Sequence, residues 1–154
     1  MKFEFSAGGI VKRKTNNTIE ILVCQHSQHH GWVFPKGLIG DRVQGEKKID
    51  TAIREVEEET GIKAKIIQEL EPVSYWYQFE GQKIKKTVYY FLMEATGGDI
   101  SKHDNEMESV EWLPVEKVEE RLTYTSDKQV WQEAKDKIRN SKFEIRNKYK
   151  SFEN

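Results

Sequence analysis

Residues 54–62 read Arg-Glu-Val-Glu-Glu-Glu-Thr-Gly-Ile, which puts four glutamates into five positions just ahead of a glycine. On a helix this run is unfavourable twice over. The macrodipole is negative at a helix C-terminus, so each anion in the last turn costs a few tenths of a kcal/mol or more. Glu55, Glu58 and Glu59 also stand at i, i+3 and i+4, where they share one face and repel. A sequence that breaks local rules this firmly marks a candidate functional site. The simplest compensating partner is a hard divalent cation, because Mg²⁺ takes oxygen ligands from carboxylates and substrate phosphates. An acidic run alone more often means a solvated helix face, so the surrounding residues must distinguish the two.

The element that must carry these acids is a helix of about four turns, opened by Gly45-Glu46 and closed by Gly61. Ile49, Ala52, Ile53 and Val56 form its expected buried stripe. Glu55, Glu58 and Glu59 fall on a neighbouring face, and Glu57 points to solvent. Arg54 can hold Glu55 through its fork of donors. Before the helix the pattern predicts strands over 3–14, with Gly8-Gly9 as a weak point or bulge, and over 19–25. Thr15 to Thr18 forms the turn between them. Ser27 to Gly31 is a polar loop. Trp32 to Phe34 is extended because Pro35 bars helix before it, and a long loop spans 36–45. After the helix come strands at 64–70, 73–80 and 86–95, with a hairpin turn at Gly81, and a loop to about 108. A short strand at 109–113 and a short helix at 116–122 follow. Ser126-Asp127-Lys128-Gln129 resembles a capping box, opening a helix to about Asn140 with Val130, Trp131, Ala134 and Ile138 on one side. This order defines an α+β sandwich.

Gly40, Glu46, Arg54, Glu55, Val56, Glu58, Glu59, Gly61 and Ile62 together fill the signature of the Nudix (MutT-like) hydrolase family, which the chain resembles over roughly residues 3–135. Trp32 to Gly37 is similar to the strand leading into that box, and Ser6 to Val11 to the first core strand. One departure stands out. Gly37 lies nine residues before Glu46, whereas Gly40 keeps the spacing of six, so either carbonyl is a candidate to face a metal. The resemblance implies an α/β/α sandwich with a mixed β-sheet between helices. It implies hydrolysis of a nucleoside diphosphate linked to another group, with Mg²⁺ (or Mn²⁺) as cofactor. By the same resemblance Glu58 and Glu59 are the core metal ligands, Glu55 a ligand or base, Arg54 its orienting partner and Glu46 a support at the helix start. A further acid comes from outside the box, for which Glu106 is chosen.

The substrate side is read from the strands. Lys86, Tyr90 and Leu92 share one strand face, opposite Thr87, Tyr89 and Phe91. Aromatics favour strands in any case, but with a lysine they also suit a base slot and a phosphate contact. The run Lys86 to Leu92, with Glu106 six residues before Trp112, resembles the diadenosine tetraphosphate hydrolase branch. That likeness implies Lys86 on phosphate and Tyr77 or Tyr90 stacked on adenine, with Lys36 among the substrate-binding residues. The rivals are a (d)NTP pyrophosphatase of the housecleaning type, an RNA 5′ pyrophosphohydrolase, and a nucleotide-sensing module without catalysis. The intact carboxylate set weighs against the last.

Composition bounds the rest. A chain of 154 residues suits one domain, taken as residues 1–140, with 141–154 as a basic C-terminal tail. Twenty-five basic and 26 acidic residues give a net charge of −1, against a membrane-surface or stable nucleic-acid partner. Cys24 is the single cysteine, so a reducing, cytoplasmic setting is expected. His26, His29, His30 and His103 lack the spacing of a metal site.

Overall fold

The computed structural model describes the backbone of residues 1–153 and the side chains of residues 1–140. The chain runs β1 (Lys2–Thr15), β2 (Thr18–His26), β3 (Trp32–Val33), β4 (Lys36–Leu38), α1 (Lys48–Thr60), β5 (Ile62–Glu69), β6 (Val73–Phe79) and β7 (Gln82–Gly98). A 3₁₀ turn at Ile100–Lys102 leads to β8 (Met107–Pro114), α2 (Val115–Arg121) and α3 (Thr125–Glu153). All eight strands join one mixed sheet, in which β1 and β7 are parallel and the other pairs antiparallel.

Period-two alternation explains the layering. In each central strand, consecutive apolar residues enter opposite cores. Ile10, Ile21, Val23, Tyr90 and Leu92 face Val118, Trp131, Ala134 and Ile138 of α2 and α3. Val11, Leu22, Cys24, Phe91 and Met93 face Ala52 and Val56 of α1. Helices therefore cover both sheet faces, giving the expected α/β/α sandwich. Among the described residues no helix is long and apolar enough to cross a membrane.

Several local expectations are corrected. Gly8-Gly9 is not a bulge: a side chain on Gly8 would collide with Pro35 and Lys36, and one on Gly9 with Met93 and Val56. These glycines let β4 and α1 approach β1. The segment 36–45 is not all loop, since Lys36 to Leu38 pair with Ser6 to Gly8 as β4. Strand β7 extends from Gln82 to Gly98 because it pairs with β1, β5 and β6 along its length. Helix α3 begins at Thr125, so Ser126 lies inside it, and its backbone continues to Glu153 beyond the expected end near Asn140. The side chains of the basic segment 141–154 lie outside the described residues.

Candidate active site

Helix α1 packs with a different face than its apolar spacing predicts. Its buried residues are Thr51, Ala52, Glu55, Val56, Glu59 and Thr60, while Ile49 is exposed. The stripe is rotated toward the acids because β4 and the Phe34-Pro35-Lys36 segment lie over them. Glu59 is 3% exposed and accepts the Lys36 backbone N–H at 3.0 Å. Glu55 is 5% exposed, and a Cβ on Gly37 would land inside its carboxylate. Glu57 is exposed, as expected. Gly61 ends the helix with φ 79°, the left-handed conformation that glycine adopts freely.

Arg54 organises the cluster. Its Nε and one terminal nitrogen grip both oxygens of Glu46, at 3.0 and 2.9 Å. The other terminal nitrogen reaches Glu55 at 3.1 Å and both oxygens of Glu58 at 3.2 Å. Asp41 accepts at 3.1 Å from the terminal nitrogen that also holds Glu46. Glu46 also takes the Thr51 hydroxyl at 2.7 Å, so it props Arg54 from the helix start. Asp41 was not singled out from the sequence.

Charge and burial set the proton affinities. The Arg54 hydrogen bond holds the Glu46 carboxyl below its ordinary range. Burial pushes Glu55 up to about 7 despite Arg54, helped by Glu58 and Asp41. Burial likewise raises Glu59 well above its ordinary value. Buried carboxylates that resist ionisation are what a site awaiting a cation should contain.

A cleft of about 320 Å³ joins Glu55, Glu58 and Glu59 to Gly37, Lys36, Lys86 and Glu106. Glu106 arrives through the loop beyond the 3₁₀ turn. Asp104 donates its backbone N–H to the Glu58 carbonyl at 3.0 Å, its carboxylate accepts the Glu106 N–H, and the Glu106 carbonyl takes the Ser27 N–H. Gly40 does not reach the acids; it bends the loop at φ 77° near Val43. Gly37, not Gly40, is therefore the glycine beside the carboxylates.

The donor set fits a hard divalent ion: all oxygen, anionic, partly desolvated and backed by a close-packed glycine. Among the described residues no three acidic, histidine or cysteine side chains are already closed on one point; the acids fan around Arg54 instead. Glu55, Glu58 and Glu59 are the residues that could hold such an ion.

Three cationic residues line this cleft, Lys36, Lys86 and Arg42, the last 3.8 Å from Glu58. Burial lowers the affinity of Lys36 for its proton, but Tyr75, Asp127 and Glu59 outweigh it and leave Lys36 raised. Lys86 is lowered by burial and by Lys36. Lys86 also lines a second lobe of about 780 Å³, which shares His26, His29 and Lys86 with the first and adds Glu4, Gln28, Tyr75, Tyr77 and Gln82. His26 and His29 stack at 4.2 Å and form a wall that metal-spacing arguments could not reveal. Tyr77 lines this lobe, its hydroxyl donating to Glu4 at 2.7 Å. Tyr90 does not. It is 2% exposed and its hydroxyl donates to buried Asp127 at 3.4 Å, so it is core and stacks on no base. Asp127 also accepts the Phe34 N–H at 3.2 Å.

A mixed sheet between helices, with an acidic box helix facing lysines, defines the class. The chain belongs to the Nudix family: the NUDIX domain model matches residues 3–134. It is similar to the 8-oxo-(d)GTP phosphatase of Mycolicibacterium smegmatis, 35% identical over 113 residues, covering 73% of this chain and 33% of that protein. It is similar to the rat bis(5′-nucleosyl)-tetraphosphatase (asymmetrical), 35% identical over 106 residues, covering 68% of this chain and 70% of the relative. A crystal structure of a C. elegans Ap4A hydrolase binary complex superposes with a TM-score of 0.73 at 25% identity, covering 89% and 98% of the two chains. The chain spans well under half the length of the mycobacterial relatives it matches, 39% and 33%.

Proposed function

We propose that this protein is a pyrophosphohydrolase that uses Mg²⁺ or Mn²⁺ to cleave a nucleoside polyphosphate, with dinucleoside tetraphosphates as preferred substrates. One observation carries the reading: three box carboxylates face Lys36 and Lys86 across a single cleft. Glu55, Glu58 and Glu59 would hold the ions. When bound, such ions neutralise phosphate charge and lower the pKa of a water molecule.

The chain's own groups do the rest. Lys36 and Lys86 bind phosphate oxygens. Arg54 keeps the acids apart and aimed. Glu106, which lines the same cleft, takes the proton as water attacks phosphorus; the new P–O bond forms as the bond to the leaving phosphate breaks. The second lobe receives the nucleoside. A cytoplasmic setting agrees with the single, buried Cys24 thiol. A second reading, a (d)NTP pyrophosphatase, is supported by the likeness to the mycobacterial 8-oxo-(d)GTP phosphatase.

A panel of nucleotides assayed with Mg²⁺ tests the reading, with product analysis to identify the phosphorus attacked. Glu58→Gln should lower turnover by at least about a hundredfold while the melting temperature stays within a few degrees. Unchanged turnover would remove this helix from the chemistry.

A further inference from the structure

Two acids line the nucleoside lobe, Glu80 exposed in the turn before β7 and Glu4 half-buried on β1, and phosphate binding does not explain the second. Glu4 lines it beside Lys2, Tyr75, Tyr77 and Lys86. A carboxylate in a cleft for polyanions repels the ligand unless it faces the part that carries no charge, the base. Its obvious structural role would be an ion pair with Lys86, its neighbour in the β1–β7 register. The contact found is a different one: Glu4 accepts the Tyr77 hydroxyl at 2.7 Å, across the sheet from β6. Tyr77 is thereby committed as a donor and fixes the carboxylate in place. An ionised carboxylate offers about four acceptor sites; one is used, and both oxygens keep capacity to accept.

We propose that Glu4 reads the base edge of the substrate and selects guanine. The argument is one of donor pattern. Guanine presents two adjacent N–H donors, N1–H and the N2 amino group, which a carboxylate accepts side by side. Adenine and cytosine each set one amino donor beside a ring acceptor, whose lone pair opposes the carboxylate. Uracil and hypoxanthine offer a single ring N–H. Tyr77 is then a positioning residue for Glu4, in place of the stacking role expected from its ring. This inference rests on the functional reading above and deepens it: the nucleoside delivered to the lobe is a guanosine, whatever lies beyond its phosphates.

Binding and turnover separate the two claims. Calorimetric titration of the full chain with GDP, IDP and ADP should show GDP bound about tenfold more tightly than IDP or ADP, the discrimination typical of a good bidentate base contact. Glu4→Gln replaces the paired acceptors with one acceptor and one donor and should collapse the GDP-to-IDP ratio to about one. Tyr77→Phe should shrink the ratio partway, leaving the fold intact by melting temperature. Equal affinities in the parent chain, or an unchanged ratio in Glu4→Gln, would overturn the assignment of Glu4. Absence of metal-dependent hydrolysis of every nucleotide would overturn the enzymatic reading instead, and the binding ratio would still decide the base preference.

Discussion

The two ends of the cleft are built in opposite ways. At the acidic end the three box carboxylates come from a single helix, Glu55 and Glu59 are buried, and the set is braced by Arg54 and by close-packed Gly37. At the nucleoside end they come from β1, β2, β6, β7 and the loop after β2, and most are partly open to solvent. The first arrangement suits a reaction whose geometry must not vary. The second suits recognition, where side chains can be exchanged without rebuilding the helix. A change at the acidic end should therefore show in kcat, and a change at the other end in KM or base preference.

The sharpest way to break that comparison is at the glycines. Gly37→Ala drives a methyl into the Glu55 carboxylate. Misplacing a reacting group by about 1 Å can cost about a hundredfold in rate, so kcat should fall by that order with a modest loss of melting temperature. Gly40→Ala has room for its methyl and is strained only by its φ of 77°; it should lower stability slightly and spare kcat. Equal effects of the two would mean that Gly37 does not shape the site.

Next in size is Lys86→Ala. Removing one phosphate contact from the recognition end should raise KM about tenfold with little change in kcat or thermal stability. A large stability loss with normal KM would make Lys86 structural.

The smallest expected effect is a pH dependence. Glu55 titrates near 7 in the metal-free fold and near 4.5 when unfolded, and Glu59 is raised as well. The folded state thus holds more protons between these values, so the metal-free protein loses stability as pH rises from about 4.5 to 7. A divalent ion must displace those protons and binds better above pH 7. The rise in melting temperature on adding Mg²⁺ should be larger at pH 8 than at pH 5.5. A shift independent of pH would place the ion elsewhere.

How much was legible in the sequence follows the same division. The acids of α1 were readable because they violate helix electrostatics within a few residues, Arg54 because it adjoins Glu55, and Glu46 through the resemblance to the Nudix signature. Glu106 needed only a short loop, which the structure folds back over the helix end. The strands followed from alternation, but β4 is three residues long and its pairing with Ser6 to Gly8 is a tertiary fact. The burial of Glu55 and Glu59 was hidden for the same reason: the cover comes from residues 34–37, far away in sequence. Tyr90 shares a strand face with Lys86 as expected, yet α3 closes over it. Asp41, Asp127 and the His26–His29 stack carried no local pattern. Asp127 did stand in a recognised helix start, but its partners are on β7 and at Phe34.

The short stretch from Phe34 to Lys36 touches both outer layers. Its first amide is held by Asp127 of α3, its last by Glu59 of α1, and the Pro35 carbonyl between them takes the Gly9 N–H of β1. It works as a rivet through the sandwich. The two helices cannot slide past one another without pulling on a box glutamate, so a load applied to α3 is transmitted to the acidic end although α3 contributes no wall to it.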